Sequence, residues 1–155
     1  MEADVERVYE ACQDEAISRF TATLPSPYAR ADAVAWIAAH DSLRRDGSGL
    51  DLAIELDEVG LAGAIGLTTF DWDAETARVG YWVAPWARGR GAATRALRLI
   101  SGYGLGALGL RSITLDTAPG NDASQRVAVR AGYAYIGTVD DIHGKFPAVN
   151  RFRRT

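Results

Sequence analysis

The stretch Val83-Ala-Pro-Trp-Ala-Arg-Gly-Arg-Gly-Ala-Ala-Thr94 joins a predicted β-strand to a predicted α-helix. The first turn of a helix carries about four backbone N–H groups with no partner inside the helix, and the positive end of the helix dipole lies there. The small residues leave room for an anion to reach those groups, and the two arginines add positive charge. The residues predicted to contact a diphosphate are Arg88, Gly89, Arg90, Gly91, Ala92, Ala93 and Thr94. The alternative is a glycine-rich turn that only redirects the chain, and these residues alone leave both open.

Two other nucleotide-binding motifs do not explain the chain. The segment Gly104-Leu-Gly-Ala-Leu-Gly109 matches the G-x-G-x-x-G pattern. It follows a predicted helix and precedes a predicted strand, whereas a dinucleotide fingerprint needs strand, loop and helix in that order. Gly102, Gly104 and Gly106 are expected instead to weaken the end of the helix, since each helical glycine costs ~1 kcal/mol relative to alanine. The chain contains no G-K-[ST] sequence, which excludes a nucleotide-triphosphate P-loop.

Hydrophobic periodicity predicts both helices and strands along the rest of the chain. Apolar residues at helical spacing predict helices, and alternating apolar residues predict strands. The predicted helices cover residues 4–13, a segment around 33–40, then 91–108 and 121–131. The predicted strands cover residues 50–56, 61–70, 78–83, 112–118, 133–139 and 149–153. This order predicts an α/β (α+β) fold with one mixed sheet and helices on its faces.

Length and composition predict one domain that spans residues 1–155. The net charge of −3 excludes a strongly basic nucleic-acid-binding protein. No apolar stretch reaches the ~18 residues of a membrane span. Cys12 is the only cysteine, and the acidic N-terminus lacks the pattern of a signal peptide. We therefore expect a cytoplasmic protein without an intrachain disulfide.

The charges are divided unevenly along the chain. Residues 1–77 carry 16 acidic and 5 basic side chains, a net charge of −11, whereas residues 78–155 carry 4 acidic and 12 basic side chains, a net charge of +8. This asymmetry suits an enzyme with a cationic ligand on one half and an anionic ligand on the other. Solvated surface charge is the plainer alternative.

Four segments together resemble a known family. Arg88-Gly-Arg-Gly-Ala-Ala93 fits the loop signature [RQ]-x-x-G-x-[GA], and Gly80-Tyr-Trp-Val-Ala-Pro85 precedes it. Downstream follow Asn121-Asp-Ala-Ser124 and Arg130-Ala-Gly-Tyr133. In this combination the chain resembles the GCN5-related N-acetyltransferases (GNAT), in their ribosomal-protein N-terminal acetyltransferase (RimJ/RimL-like) branch. The resemblance extends from about residue 5 to residue 152.

The resemblance implies a mixed, mostly antiparallel central sheet with helices on both faces. Family members usually open with an edge strand before the first helix, whereas this chain begins almost at the helix. The strand is therefore either lost or outside this sequence. A second departure is Arg78, where relatives often carry a glutamate before Gly-Tyr-Trp.

The resemblance also implies an acetyl-CoA donor, a primary amine acceptor and direct attack in a ternary complex. In this family the sheet splays beside the third strand of this chain, and the pantetheine arm lies in the gap. The backbone N–H of Val83 or its neighbour would polarise the thioester carbonyl. Asn121 would bind the pantetheine amides or only cap a helix. Ser124 would lie near the thioester sulfur or only occupy a first helical turn, and Tyr133 is expected in the core.

The sequence alone identifies neither a single general base nor the acceptor. The resemblance places a base near Asp140 or Asp141, and Glu55 or a chain of waters would serve equally well. Three aromatic residues of the acidic half either line the acceptor site or belong to the core: Phe20, Tyr28 and Trp36. His40, His143 and Cys12 lack metal-ligand spacing, so no metal is expected.

Three further points stay open from the sequence. The acceptor is either a protein N-terminus or a small-molecule amine, and a homodimer is plausible by resemblance. The acyl group would be acetyl or another, such as succinyl. The alternative to catalysis is an acyl-CoA-binding sensor that retains the same fold.

Overall fold

A computed structural model describes residues 2–155 of the chain. The elements in chain order are α1 Glu2–Cys12, α2 Glu15–Phe20, α3 Arg30–Asp46, β1 Gly49–Leu56, β2 Gly60–Asp71, β3 Thr76–Val83, α4 Ala92–Gly106, β4 Ser112–Thr117, α5 Asp122–Arg130, β5 Ala134–Val139 and β6 Val149–Arg154. A short 3-10 helix, Pro85–Ala87, follows β3.

The strands form one six-stranded sheet in the order β1-β2-β3-β4-β6-β5. All neighbouring strands are antiparallel except β3 and β4, which are parallel. Helices cover both faces, which confirms the predicted fold class. Within the described residues the chain enters the sheet at β1, an edge strand, after three helices.

Two core clusters hold the helices against the sheet. The larger packs α4 and α5 on one face and includes Leu97, Ile113 and Phe152. Tyr133 also belongs to it and is 3% exposed, which confirms its predicted place in the core. The smaller cluster packs α1, α2 and α3 on the opposite face around Val8 and includes the partly buried Trp82 of β3.

Sequence periodicity missed α2 and misplaced the end of α4. Asp14 caps α2 by accepting a hydrogen bond from the backbone N–H of Ile17 at 3.0 Å. Helix α4 contains Gly102, Gly104 and Gly106 and ends at Gly106, whereas the sequence predicted an end at 108. A Cβ at Gly104 would lie 2.8 Å from Cδ1 of Ile113, so a side chain there would force the buried side chain of Ile113 to shift.

The pairing between β3 and β4 stops in the middle of the sheet. Its register runs from Thr76 with Ser112 to Val79 with Leu115 and ends there. Beyond that point β3 continues to pair with β2, and β4 continues to pair with β6. The two strands therefore separate and leave a gap in the sheet, as the family resemblance implied.

Candidate active site

One cleft of about 1290 Å³ passes through this gap and reaches both faces of the sheet. Its lining contains nine of the ten residues predicted to bind the coenzyme: Val83, Arg88, Gly89, Gly91, Ala92, Ala93, Thr94, Asn121 and Ser124. Arg90 does not line it and lies on the exposed side of the loop. The fold thus gathers two separate sequence motifs around one space.

Backbone N–H groups of β3 face the gap. The N–H of Ala84 donates to the carbonyl of Ala62 at 2.8 Å, so it points toward β2. Because successive residues of a strand point their N–H groups to opposite edges, those of Val83 and Tyr81 point toward β4. At these two residues the pairing with β4 has already ended. The predicted donor Val83 and its near neighbour Tyr81 can therefore each donate to a carbonyl in the gap.

The N-terminus of α4 opens onto the same cleft. Its N-cap, Gly91, has φ +72°, and no side chain caps the helix. Gly89 is also left-handed, with φ +74°, a conformation that costs other residues roughly 1–2 kcal/mol. The amides of Ala92, Ala93 and Thr94 are thus presented without a side-chain cap in front of them. This geometry suits a diphosphate.

The two loop arginines do not contribute equally to this site. Arg88 binds the carboxylate of Asp14 with distances of 2.6 and 3.4 Å, and this contact is the main reason why the pKa of Asp14 lies below its ordinary value. Arg90 lies 3.9 Å from Glu58, with both side chains exposed. Arg88 therefore ties the loop to α2, a role that sequence reasoning missed.

Two arginines of α5 also line the cleft: Arg126 and Arg130. They lie four residues apart and so share one face of the helix. That spacing was a signal in the sequence that reasoning from the loop alone did not use. They supply positive charge on the coenzyme side of the cleft.

A pair of hydroxyl groups lies beside the gap. The hydroxyl of Tyr81 and Oγ of Ser124 are 2.8 Å apart. Burial raises the pKa of Tyr81 to about 12, so the phenol keeps its proton at neutral pH. Asn121 caps α5 by accepting from the N–H of Ser124 at 3.2 Å, which leaves its Nδ2 donors available. The structure thus shows the cap that was one alternative for Asn121, and a ligand contact remains compatible with it.

Four carboxylates line the cleft on the face covered by α1 and α3: Asp32, Asp51, Asp116 and Asp141. The carboxylate of Asp116 accepts one hydrogen bond from Nη2 of Arg78 and two from Nε and Nη2 of Arg151, each at 2.8 Å. Burial raises the pKa of Asp116, and the charge of Arg78 offsets part of that rise. Asp32 accepts the backbone N–H of Ala29 at 2.7 Å.

The loop between β5 and β6 closes this side of the cleft. Asp141 accepts three backbone N–H groups of its own loop at 3.0 Å each, from His143, Lys145 and Phe146. Burial alone would raise the pKa of Asp141, but these bonds outweigh it and hold the pKa below its ordinary value. Nζ of Lys145 donates to the carbonyls of Ser18 and Thr21 at 2.5 and 2.8 Å, which fastens the loop to α2.

The structure does not bring every predicted acid and base into the cleft. Asp140 is exposed at the end of β5, the strand at the far edge of the sheet, and it does not line the cleft. Glu55 on β1 is likewise exposed and outside it. The geometry therefore gives no support to a catalytic role for Asp140, whereas its neighbour Asp141 lies at the cleft with its carboxylate already bound.

The three aromatic residues of the acidic half lie at the cleft, and two of them also pack against the core. Phe20, Tyr28 and Trp36 all line the cleft. Tyr28 and Trp36 also pack against the smaller core cluster, where the ring of Trp36 lies 6.4 Å from that of Trp82. This wall can hold the apolar part of an acceptor.

No helix within residues 2–155 is long and apolar enough to cross a membrane. Across the same described residues, His, Cys, Asp and Glu side chains form no group of three or more that could hold a metal ion. The absence of a metal from the reaction stays a prediction.

Comparison with known proteins agrees with this geometry. Residues 1–134 match the family model described as an acetyltransferase (GNAT) domain. The curated relative "Putative ribosomal N-acetyltransferase YdaF" of Bacillus subtilis (strain 168) is 33% identical over 81 residues, which are 52% of this chain. The alignment spans only 44% of that relative's length.

Solved structures share the whole fold at lower sequence identity. RimL, the ribosomal L7/L12 alpha-N-protein acetyltransferase in complex with coenzyme A, has a TM-score of 0.83 at 18% identity, covering 99% of this chain and 89% of that chain. The spermidine N-acetyltransferase of Vibrio cholerae in complex with CoA and spermine has a TM-score of 0.79 at 18% identity, covering 99% and 90%. At these identities the likeness to the two solved structures shows the shared fold. Since the family model covers most of the residues, the chain belongs to the GNAT acetyltransferase family.

Proposed function

We propose that the chain transfers an acetyl group from acetyl-CoA to a primary amine by direct attack in a ternary complex. One observation carries the proposal. The uncapped N-terminus of α4 and the unpaired N–H groups of β3 open into a single cleft that reaches both faces of the sheet. One ligand can therefore hold its diphosphate at α4 while its acyl end lies in the gap, and a second ligand can approach from the opposite face.

Positioning supplies much of the expected rate acceleration. When an amine and a thioester are held in one cleft, a bimolecular reaction becomes effectively unimolecular. The N–H of Val83 or Tyr81 stabilises the negative charge that develops on the carbonyl oxygen. The hydroxyl pair of Ser124 and Tyr81, 2.8 Å apart, is suited to protonate the thiolate that leaves. Asn121 orients the pantetheine arm through its free Nδ2 group.

The test is release of free thiol from acetyl-CoA with a panel of amines. The panel contains peptides with free N-termini and polyamines, because structures of this fold are named for such acceptors. We expect thiol release above background with at least one of them, together with a mass increase of one acetyl group on the amine. Tight coenzyme binding without turnover of any amine would instead select the acyl-CoA sensor. Succinyl-CoA in place of acetyl-CoA tests the identity of the acyl group.

Location and assembly complete the proposal. A reducing cytoplasm suits the one cysteine of the chain, Cys12, whose thiol is buried and whose pKa burial raises to about 11. Such a thiol stays protonated and unreactive. A homodimer is the assembly that the family resemblance favours, and sedimentation of the purified protein tests it.

A further inference from the structure

A row of residues crosses the sheet from β1 to β4 on the face covered by α1 and α3. Asp51 pairs with Gly66, and Gly66 pairs with Gly80. Asp116 follows the last residue of β4 that pairs with β3, so it faces Gly80 across the gap. Since residues directly opposite each other share a face, Asp51 and Asp116 stand at the two ends of a floor made of two glycines.

The space above this floor is open over one glycine and occupied over the other. A Cβ at Gly66 would come within 2.0 Å of Oδ1 of Asp51, so the carboxylate leans over Gly66. A Cβ at Gly80 would meet nothing within 4 Å. Adjacent strands lie about 4.8 Å apart, so Asp51 reaches to the edge of the open space. Gly80 in turn directly precedes Tyr81, whose N–H points into the gap.

The other carboxylates of the cleft are already bound. Asp116 is held by two arginines, Asp141 by three backbone N–H groups of its loop, and Asp32 by the N–H of Ala29. The carboxylate of Asp51 makes no side-chain hydrogen bond or ion pair within residues 2–155. It is therefore the cleft carboxylate that is available to a ligand.

We propose that Asp51 binds the ammonium group of the acceptor over Gly80 and takes its proton before the amine attacks the thioester. This inference rests on the proposed acetyl transfer and assigns its general base. It replaces Asp140, which lies outside the cleft.

The ammonium gives one proton to the carboxylate of Asp51, which later releases it to solvent. The lone pair of the neutral amine forms the C–N bond with the carbonyl carbon. The C–S bond breaks, and its electron pair leaves on the coenzyme sulfur. The second proton leaves the nitrogen after attack and reaches the thiolate through Ser124, so the products are the amide and the free thiol.

The surroundings of Asp51 suit a proton acceptor. Burial raises the pKa of Asp51 above its ordinary value, and His40 of α3 offsets part of that rise. Across the glycines, the pair formed by Arg78 and Asp116 faces it. A carboxylate with a raised pKa takes a proton more readily.

The test compares Asp51→Asn and Asp51→Glu with Asp73→Asn, which alters an exposed turn outside the cleft. We expect Asp51→Asn to lower kcat/KM for the best acceptor by roughly 10²- to 10⁴-fold while coenzyme affinity stays within twofold. The acidic limb of the pH profile of kcat/KM should disappear in Asp51→Asn and persist, shifted, in Asp51→Glu. Asp73→Asn should match the wild type in both readouts.

Two outcomes separate this inference from the proposed function. If the wild type acetylates an amine and Asp51→Asn loses less than tenfold or keeps the acidic limb, Asp51 is not the base. If the wild type acetylates no amine at all, the proposed function itself fails. If Asp51→Asn does not fold, Gly80→Val provides a second test, since a side chain at position 80 fills the open space where the amine is proposed to bind. It should raise KM for the amine at least tenfold with unchanged coenzyme affinity, and an unchanged KM would overturn the inference.

Discussion

Replacing Gly91 with aspartate tests whether the N-terminus of α4 holds the diphosphate. The substitution puts a carboxylate at the N-cap, beside the helix amides that are proposed to bind the ligand. Gly91→Asn is the matched control, because asparagine has nearly the same shape and bears the same left-handed strain without the charge. The difference between the two variants is therefore electrostatic.

The magnitude follows from the distance between charges. For a carboxylate assumed to lie about 7 Å from the phosphate, the repulsion at an effective dielectric constant of about 20 is about 2.4 kcal/mol per unit charge. The guanidinium of Arg95 lies 3.4 Å from the position of the new Cβ and would neutralise part of it. We expect a net loss of about 1.4–2 kcal/mol, which is a 10- to 30-fold weaker affinity for coenzyme A.

Calorimetry with coenzyme A at two salt concentrations measures this difference. Gly91→Asp should bind 10- to 30-fold more weakly than Gly91→Asn at low salt, and the ratio should shrink at high salt as screening increases. Thermal unfolding of the two variants should differ little, because both carry the same backbone strain. Equal affinities for both variants and the wild type would refute the assignment of the diphosphate to α4.

Three further predictions test parts of the site and of its frame. Tyr81→Phe removes the hydrogen bond to Ser124 and should lower kcat about tenfold with coenzyme affinity within twofold; an unchanged kcat would exclude the hydroxyl pair as the proton donor. Gly104→Ala should lower the free energy of unfolding in urea by about 1–3 kcal/mol, since its Cβ would clash with β4, whereas Gly102→Ala, with open space around it, should raise it by about 0.5–1 kcal/mol. Asp14→Asn keeps a helix cap but loses the ion pair with the loop arginine, at a cost of about 1 kcal/mol or less at pH 7. Because the pKa of Asp14 is lowered on folding, its contribution is present above the ordinary value of about 3.9 and is lost as the pH falls through the lowered value, so the two proteins should become equally stable in acid.

Most residues that are proposed to bind the coenzyme could be predicted from the sequence, because this part of the site depends on local backbone geometry. A strand, a glycine-rich loop and a helix start are adjacent in the chain, so Gly89, Gly91 and the amides after them could be placed before any tertiary contact was known. Asn121 and Ser124 followed from a second local motif. The helix α2 was missed because it is six residues long and has little periodicity to detect.

The residues proposed to bind the acceptor could not be predicted from the sequence, because their proximity depends on the register between strands that are distant in the chain. Asp51 and Gly66 meet only through the pairing of β1 with β2, and Asp116 meets Arg78 across a parallel pair. Neither contact leaves a spacing in the sequence. The ion pair of Arg88 was not predicted for the same reason, since its partner Asp14 lies 74 residues away.

The uneven charge along the chain becomes a spatial division once the fold is known. Helices α1 to α3 and strands β1 and β2 come from residues 2–71 of the acidic half, and they build the wall that carries Asp51. Helices α4 and α5 come from the basic half and form the side proposed to bind the coenzyme. The gap between β3 and β4 lies where these halves meet, so the proposed anionic donor and cationic acceptor would each be attracted to the side of opposite charge. This arrangement predicts that the affinities for both substrates weaken as the salt concentration rises. The affinity for a neutral amine of the same shape should not depend on salt, whereas the affinity for the coenzyme still should.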